Sequence, residues 1–425
     1  MTRYLPIQQN DENFKVIWGM KTLLIAIIGL FFVGEALILQ GATVTGEKKP
    51  VSRARTTTKT RSKTKGASTK RVATAKAAPS KTAVSTKKRV TRRRTAYSPW
   101  KTPTFADATT GDFTDGDDPV VRRAAIDALG GLNGSILVVE THTGRVLTMV
   151  NQKVALKTGF TPCSTVKIPV ALAALSEGII DRTTKMRIFR NLSLDMTEAI
   201  AFSDNHYFAN LGKKLGFEKV SYYARLFGLG EKAGLNIEGE EPGGLPAAPP
   251  KNGGVGMMCS FGEGINLTPL QLASLLSAIG NGGTLYYLQY PRSQQEAANF
   301  VPRVKRQLDI QQWIPEIKPG MMGAVAFGTA RRAGYQPDAP ILGKTGTCTD
   351  RTTPTHLGWF GSFNEIERNQ LSVVVLLTGG KPVNGPVASG VAGNVYKRLA
   401  EVGYLNEERS YSPVALVQTS SCCAQ

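Results

Sequence analysis

The sequence predicts an α+β protein whose single antiparallel sheet is assembled from both ends of one folded region. Two β-rich runs come first, at residues 135–140 and 146–150, and the turn-forming residues 141–145 between them indicate a hairpin. A long and mainly helical stretch follows, from Ser164 to about Arg332. Strand-like runs then return at residues 341–348, 356–363 and 371–378. Strands at both ends with helices between them predict about five antiparallel strands flanked by helices, plus an all-helical subdomain.

Helix signals mark two further elements. Residues 270–279 form an apolar run that Thr268 and Pro269 open, because threonine is a good N-cap residue and proline suits the first helical position. Residues 391–402 have the pattern of a closing helix. We therefore expect one folded domain over residues 119–405, followed by a flexible C-terminal tail at 406–425.

An apolar segment near the N-terminus predicts a membrane anchor. Residues 16–39 are apolar apart from Lys21, Thr22 and Glu35, and about 20 such residues span a bilayer. We expect a retained transmembrane helix over residues 16–40, after a short cytoplasmic tail at 1–15. The alternative is a cleaved signal peptide, which the poor cleavage pattern after this segment disfavours.

Residues 41–118 are predicted to be a basic, low-complexity and disordered linker. Nineteen lysines and arginines lie between Lys48 and Lys101 with Glu47 as the one acid nearby, so this stretch carries nearly all of the formal net charge of +20. Large apolar side chains are almost absent before Tyr97, and such a segment cannot bury enough surface to fold. The charge predicts an anionic partner or a solvated spacer. Nucleic acid is disfavoured, because no aromatic residues alternate with the basic ones and a membrane anchor precedes them.

The pattern of the five cysteines does not predict a particular set of disulfide bonds. Cys163, Cys259 and Cys348 are scattered through the folded region, while Cys422 and Cys423 lie in the polar tail. There is no Cys-x-x-Cys pair and the chain has only three histidines, so we expect no metal site and no cofactor. Cys163 is expected to pack at a helix start rather than to act in redox chemistry.

A candidate nucleophile and base lie three residues apart at a predicted helix start. Ser164 and Lys167 precede an apolar run, and this spacing brings both side chains to one face of the helix. A lysine that its neighbours shield from water can lose its charge and accept the serine proton. Taken alone, Ser-x-x-Lys occurs often by chance, and an N-cap serine beside a surface lysine is then the favoured explanation.

Two further motifs turn this pair into a predicted site. Ser203-Asp204-Asn205 lies 39 residues after Ser164, in a break between helical segments, and Lys344-Thr345-Gly346-Thr347 lies 141 residues after Ser203 on a predicted strand. Three motifs in this order and setting resemble the penicillin-recognising serine acyl-transferases, which comprise penicillin-binding proteins and serine β-lactamases. Additional segments similar to a penicillin-binding transpeptidase extend the resemblance over about residues 120–405: 227–230, 243–246, 262–264, 267–273 and 320–330.

The resemblance implies covalent catalysis at Ser164. This serine would attack the penultimate D-Ala carbonyl of a peptidoglycan stem peptide ending in D-Ala-D-Ala, and β-lactam antibiotics would acylate the same hydroxyl. Lys167 would act as the general base, its pKa lowered by burial and nearby cations. Ser203 would relay the proton to the leaving amine, and Asn205 would position Lys167 and bind the substrate amide. Asp204 and His206 are interpreted as structural.

The same resemblance assigns the third motif to substrate binding. Lys344 would add positive potential for the substrate carboxylate, and Thr345 and Thr347 would offer hydroxyls. The backbone N–H groups of Ser164 and Thr347 would form the oxyanion hole. Gly346 would leave space for the substrate to lie antiparallel along the strand edge.

Transfer of the acyl group to an amine of a neighbouring stem peptide would make the protein a D,D-transpeptidase. A D,D-carboxypeptidase, a serine β-lactamase and a membrane-tethered β-lactam sensor are the alternatives within this fold. Residues 236–242 lack the Glu-x-x-Leu-Asn motif of one β-lactamase class, and Asn205 stands where another class has valine. Both absences predict that water would release the acyl group from Ser164 only slowly, which favours a transpeptidase over a β-lactamase.

Substrate chemistry also predicts the location of the domain. The positive-inside rule, applied to residues 47–101, would keep the C-terminal part in the cytoplasm, but that rule fades for long segments. A stem-peptide enzyme must face the wall, so we expect a single-pass protein of the bacterial cytoplasmic membrane with its domain on the outer side. The basic arm at 47–101 would then bind anionic wall polymers or lipid headgroups. A non-catalytic wall-binding protein that relies on this arm is the alternative from a different class.

Overall fold

The computed structural model describes residues 100–157, 159–235, 237–350, 354–366 and 369–406. The helices in these ranges are α1 (Pro119–Leu129), α2 (Gln152–Ala155), α3 (Lys167–Ser176), α4 (Met196–Ala201), α5 (Asn205–Leu215), α6 (Phe217–Leu226), α7 (Gly254–Phe261), α8 (Pro269–Gly280), α9 (Gln294–Ala298), α10 (Ile314–Ala326) and α11 (Gly385–Glu401). Short 3₁₀ turns cover Cys163–Val166 and Arg331–Ala333. The strands are β1 (Gly134–Glu140), β2 (Val146–Val150), β3 (Met186–Phe189), β4 (Leu192–Leu194), β5 (Thr284–Tyr286), β6 (Val304–Gln307), β7 (Ile341–Asp350), β8 (Thr355–Asn364) and β9 (Leu371–Gly379).

Five strands form the central antiparallel sheet, in the order β2-β1-β9-β8-β7. The predicted fold class is therefore confirmed, including the hairpin between β1 and β2. The two ends of the domain meet in the middle of the sheet, where Leu137 of β1 pairs with Val374 of β9. Strand β7, which carries the third motif, lies at the edge of the sheet.

The sheet is buried on both faces because helices cover it on each side. Successive side chains of a strand point to opposite faces. On β1, Leu137 and Val139 join one hydrophobic cluster with helices α3 and α8, while Ile136 and Val138 join a second cluster with α1 and α11. All four side chains are fully buried. This explains why strands such as β1 and β9 are nearly continuous apolar runs rather than alternating ones.

Capping residues determine where the covering helices begin. Thr268 and Gln271 form a reciprocal capping box at the start of α8, with Pro269 in the first turn, as the sequence predicts. Helix α11 begins at Gly385, six residues earlier than its apolar pattern predicts, because the Asn384 side chain accepts the Val387 N–H. The mainly helical stretch also contains two small two-stranded sheets that the sequence patterns do not predict, β3–β4 and β5–β6.

Residues 100–118 pack against the domain, although their composition predicts a disordered linker up to residue 118. The buried carboxylates of Asp112 and Asp117 both form salt bridges with Arg122 of α1. Asp112 also accepts the backbone N–H groups of Asn151 and Gln152. Polar contacts rather than apolar burial order this segment, which is why hydrophobicity did not reveal it. The other predicted domain boundaries stay predictions.

The predicted anchor at 16–40, the basic arm at 47–101 apart from its last two residues, and the tail from residue 407 onwards lie outside the described residues. Within the described ranges, none of the helices combines the length and the apolar character that a bilayer-crossing segment requires.

Candidate active site

Ser164 lies in the 3₁₀ turn Cys163–Val166, directly before helix α3. A 3₁₀ helix has three residues per turn, so the side chains of Ser164 and Lys167 lie on the same face one turn apart. The Lys167 N–H donates back to the Ser164 carbonyl and continues the turn into the α-helix. The serine is 8% exposed and the lysine is fully buried. The predicted nucleophile is thus open to solvent only at a narrow point, beside a lysine that solvent does not reach.

The Lys167 ammonium contacts the second motif. Its Nζ donates to the Ser203 carbonyl at 2.6 Å, to Ser203 Oγ at 3.2 Å and to Asn205 Oδ1 at 2.7 Å. It also lies 5.6 Å from the centre of the Phe208 ring. Three acceptors match the three N–H bonds of an ammonium group. Loss of one proton would leave two donors and a lone pair, which is what a general base requires.

Burial lowers the pKa of Lys167 to about 7, because desolvation penalises its charged form. The negative charge of Asp204 acts in the opposite direction and limits the decrease. At neutral pH a substantial fraction of the lysine is therefore uncharged, whereas an ordinary surface lysine is almost entirely protonated.

The second motif is a strained turn that ends at a helix start. Ser203 has a φ of +59°, which is uncommon for a residue other than glycine and is often found at functional sites. Asp204 caps helix α5 by accepting the Tyr207 N–H at 2.7 Å, so its structural interpretation is confirmed. Asn205 is the first residue of α5 and aims its amide oxygen at Lys167. His206 is exposed and stacks edge-on against Phe189, outside these contacts.

The third motif brings a second buried lysine to the site. Lys344 on β7 is 1% exposed, and its Nζ donates to the Thr345 carbonyl at 3.0 Å. Burial holds the pKa of Lys344 well below its ordinary value, and the positive charge of nearby Lys167 lowers it further. Two lysines that share one desolvated region disfavour each other's protonation, and an anion that enters this region would raise the pKa of both.

Gly346 allows the Ser164 turn to pack directly against strand β7. A Cβ atom at this position would lie 3.0 Å from the Pro162 carbonyl oxygen, and 3.2 Å from both Cys163 Cβ and Thr165 Cγ2. The missing side chain therefore creates room for the nucleophile turn. This is a different reason from the predicted one, which was space for a substrate along the strand edge.

The two threonine hydroxyls of the third motif are held by neighbours outside the predicted motifs. Thr345 Oγ1 lies 2.6 Å from Thr329 Oγ1, and the Thr329 N–H donates to the Ala201 carbonyl at 3.1 Å. Thr329 thus connects the chain before the second motif with the strand of the third. Thr347 Oγ1 accepts the Gly385 N–H at 2.8 Å, which leaves its own O–H free to donate.

A disulfide bond between Cys163 and Cys348 joins the first motif to the third, with 5.5 Å between the two Cα atoms. The expectation that Cys163 merely packs at a helix start is therefore wrong. The two residues are 185 positions apart, and spacing alone carries no signal for pairing at that separation. Cys259 is a free and buried thiol, and burial raises its pKa to about 12.

All the predicted site residues lie on the three segments that meet here: Ser164, Lys167, Ser203, Asn205, Lys344, Thr345, Gly346 and Thr347. Thr329, Gly385 and the disulfide are additional contributors. Thr329 lies in a segment that resembles the family, but no motif singled it out. In the described ranges, no group of three or more His, Cys, Asp and Glu side chains is arranged to hold a metal ion.

The sheet and its flanking helices bring a serine, two buried lysines and an asparagine together at the edge strand, an arrangement that fits an acyl-transferase type of site. Residues 134–401 match the family model described as "Penicillin binding protein transpeptidase domain", and the chain belongs to this family.

Similarity to individual relatives extends over part of each protein. The chain is 30% identical over 224 residues to stage V sporulation protein D of Bacillus subtilis, which covers 48% of this chain and 34% of the relative. It is 24% identical to the peptidoglycan D,D-transpeptidase MrdA of Acinetobacter baumannii, covering 53% of this chain and 43% of that protein. The chain thus spans between a third and a half of the length of these curated relatives.

Solved structures show the same fold. Penicillin-binding protein 2 of Pseudomonas aeruginosa, in complex with WCK 5153, superposes with a TM-score of 0.56 at 24% identity, covering 70% of this chain and 80% of that one. The D,D-transpeptidase domain of a peptidoglycan glycosyltransferase from Eggerthella lenta gives a TM-score of 0.54 at 22% identity, covering 67% and 82%.

Proposed function

We propose that the protein is a peptidoglycan D,D-transpeptidase that works through an acyl-enzyme on Ser164. The observation that carries this proposal is the environment of Lys167, a fully buried amine one 3₁₀ turn from Ser164 and hydrogen-bonded to Ser203 and Asn205. Its pKa of about 7 suits a general base at neutral pH. Relatives named as D,D-transpeptidases support the reaction class.

Acylation would proceed by proton transfer from Ser164 to the neutral Lys167 amine, as the serine oxygen attacks the penultimate D-Ala carbonyl. The backbone N–H groups of Ser164 and Thr347 would hold the developing oxyanion, and one such donor typically contributes about 3 kcal/mol. Ser203, whose Oγ contacts Lys167, would pass the proton to the leaving D-Ala amine. An amine of a second stem peptide would then attack the ester and form the cross-link.

Substrate binding would use the edge strand β7 and the buried charge behind it. The open edge of β7 allows an extended peptide to add antiparallel to the sheet. Thr347 would donate its hydroxyl to the terminal carboxylate, since the Gly385 N–H already occupies its oxygen. That carboxylate would also favour protonation of Lys344, whose pKa is lowered in the absence of a partner.

The acidic loop after Gly234 favours a long-lived acyl-enzyme over rapid hydrolysis. The buried carboxylate of Glu240 accepts the backbone N–H groups of Ala233 and Gly234, and exposed Glu238 pairs with Arg292. The backbone contacts hold the Glu240 carboxylate at the loop itself, while the Glu238 carboxylate lies at the surface. A deacylating water would need such a group as a base, so the contacts support transpeptidation over β-lactamase activity.

Incubation of the purified full chain with a fluorescent penicillin tests the acyl-enzyme. We expect a covalent adduct that persists for hours and is absent in Ser164→Ala. Absence of labelling on the intact chain would refute the proposal in favour of the non-catalytic wall-binding alternative. Rapid loss of label together with turnover of a chromogenic cephalosporin would make the protein a β-lactamase.

A stem-peptide assay separates transpeptidation from carboxypeptidation. A pentapeptide ending in D-Ala-D-Ala is supplied with and without an acceptor amine, and the products are resolved by mass. We expect a cross-linked product that depends on both the acceptor and Ser164. Release of D-Ala with no cross-link at any acceptor concentration would identify a D,D-carboxypeptidase.

The location follows from the same chemistry and is also our proposal. Residues 16–40 would anchor the protein in the cytoplasmic membrane, and residues 41–99 would carry the domain to the wall-facing side, with the basic arm at 47–101 bound to anionic wall polymers or lipid headgroups. Deletion of residues 47–99, which spares the ordered segment from Trp100, should weaken sedimentation with purified cell walls at low salt. Unchanged sedimentation would leave the arm as a spacer.

A further inference from the structure

The Cys163–Cys348 disulfide joins the two residues that flank the proposed oxyanion donors. Cys163 directly precedes Ser164, and Cys348 directly follows Thr347. Each bridging residue is therefore one position from a backbone N–H that has to point at the same substrate oxygen. The two cysteines are 185 residues apart in the chain. Among the described residues, the disulfide is the covalent bond that joins the 3₁₀ turn directly to strand β7.

The spacing of the two donors depends on how the turn packs against β7. At Gly346, an added Cβ atom would lie within 3.2 Å of Cys163 and Thr165, so the two backbones are already in close contact. Trp359 of the neighbouring strand β8 also contacts the segment, because its indole N–H donates to the Thr161 carbonyl at 3.0 Å. The disulfide supplies the attachment to β7 itself, with a Cα separation of 5.5 Å.

Cys163 also has a strained backbone conformation, and the disulfide to Cys348 helps to maintain it. Its φ is +53°, in the left-handed region, which is strained for a residue other than glycine. The Ser164 N–H belongs to the peptide unit between Cys163 and Ser164, so the torsions of Cys163 set the direction of that donor. A released Cys163 could return to an ordinary φ and turn the N–H away from the substrate oxygen.

We infer that the Cys163–Cys348 disulfide is a positioning element of the oxyanion hole. It fixes the separation and direction of the Ser164 and Thr347 N–H groups. The inference rests on the proposed acyl-transfer function and goes beyond it, since both acylation and deacylation pass through a tetrahedral oxyanion. Neither cysteine is a catalytic residue, because each acts through the backbone of its neighbour.

The test compares the full chain with the double variant Cys163→Ala/Cys348→Ala. The rate constant for acylation at saturating penicillin should fall at least tenfold, while the dissociation constant of the initial non-covalent complex should change by less than about twofold. Removal of a whole oxyanion donor costs about 10²–10³-fold, which sets the upper limit for a displaced donor. Affinity for a boronic acid, which forms a tetrahedral adduct on the serine, should fall in parallel with the rate.

Reduction of the intact chain provides a second route that does not depend on refolding a variant. A water-soluble phosphine converts the disulfide into two thiols and becomes a phosphine oxide, with water supplying the oxygen and the protons. Alkylation and mass measurement show when Cys163 and Cys348 are both thiols. The reduced chain should acylate as slowly as the double variant, and the phosphine should not slow the double variant further.

Cys259→Ala is the matched control, because it removes the buried free thiol and leaves the bridge intact. It should acylate at the wild-type rate and remain sensitive to the phosphine. The inference is overturned if the double variant or the fully reduced chain acylates at the wild-type rate, including the case in which only its melting temperature falls. If the intact oxidised chain is not acylated at all, it is the proposed function that fails.

Discussion

The Nζ of Lys167 lies 2.7 Å from Oδ1 of Asn205, although the two residues belong to different helices. Lys167 begins α3 and Asn205 begins α5, so the contact connects the proposed base to the turn that carries Ser203. An amide oxygen stabilises an ammonium without removing its tendency to lose a proton, whereas a carboxylate in the same place would hold the proton firmly. Burial lowers the pKa of Lys167, and the contact with Asn205 holds the amine in place without a carboxylate that would fix its charge.

Acylation should follow the deprotonation of Lys167. The pKa of Lys167 is lowered to about 7 by burial, and in the proposed mechanism the neutral amine is the base. The rate should rise about tenfold per pH unit below pH 7 and level off above it, since the neutral fraction rises with pH and then saturates. Stopped-flow acylation by a penicillin checks this, with circular dichroism showing that the fold is retained. A flat rate from about pH 5 to 9 would exclude Lys167 as the base.

Two substitutions of Asn205 should move the midpoint of the pH–rate profile, which reports the pKa of Lys167, in opposite directions. Asn205→Ala removes an acceptor from the Lys167 ammonium, so the midpoint should shift to lower pH. Asn205→Asp places a carboxylate at the 2.7 Å contact and should raise the midpoint by about 1–2 pH units, because a close opposite charge favours the protonated amine. Both are read from the same pH–rate profile. Shifts of the same sign in the two variants would contradict this role for Asn205.

Gly346→Ala should impair catalysis by displacing the nucleophile turn. The added methyl group would lie 3.0 Å from the Pro162 carbonyl oxygen and 3.2 Å from Cys163 Cβ, which is closer than normal packing allows. We expect acylation to fall at least tenfold, with a destabilisation of about 1–3 kcal/mol for overpacking. Gly131→Ala is the control, because no atom lies within 4 Å of its Cβ position. Equal acylation rates in the two variants would show that the turn adapts freely.

Thr329→Val should remove the hydrogen bond to Thr345 in the third motif without creating a cavity. Thr329 Oγ1 lies 2.6 Å from Thr345 Oγ1, and valine has nearly the same shape without the hydroxyl. We expect a loss of about 1 kcal/mol in the free energy of unfolding and a several-fold lower acylation rate. Thr329→Ser retains the hydroxyl and should recover most of the rate. If serine and valine behave alike, the hydrogen bond has no part in positioning Thr345.

The N-terminal segment at 100–118 should stabilise the domain. Removal of residues 1–118 deletes Asp112 and Asp117, which leaves the partly buried Arg122 without either carboxylate partner. Loss of one side of a buried ion pair typically costs about 3–5 kcal/mol. A chain that starts at residue 119 should therefore melt several degrees lower than one that starts at Trp100. Asp112→Asn in the longer chain should reproduce part of the loss, and equal melting temperatures would contradict this role.

Much of the fold could be predicted from local patterns. Local patterns located all five strands of the central sheet to within two residues, and β1 and β9 stand out as apolar runs because they are buried on both faces. The start of α11 at Gly385 was missed, since a capping asparagine outside the apolar pattern sets it. The ordering of residues 100–118 was missed as well, because it depends on salt bridges to Arg122 that composition does not encode.

By itself, the sequence determined which residues belong to the candidate site, because Ser164, Lys167, Ser203, Asn205 and Lys344 stand in an ordered set of motifs with chemistry of their own. Only the tertiary structure decided how they act on one another. Burial sets the pKa of Lys167, and packing against Gly346 places the serine turn. It also paired Cys163 with Cys348 across 185 residues. Desolvation and long-range contact arise when distant segments meet, and no local pattern records them.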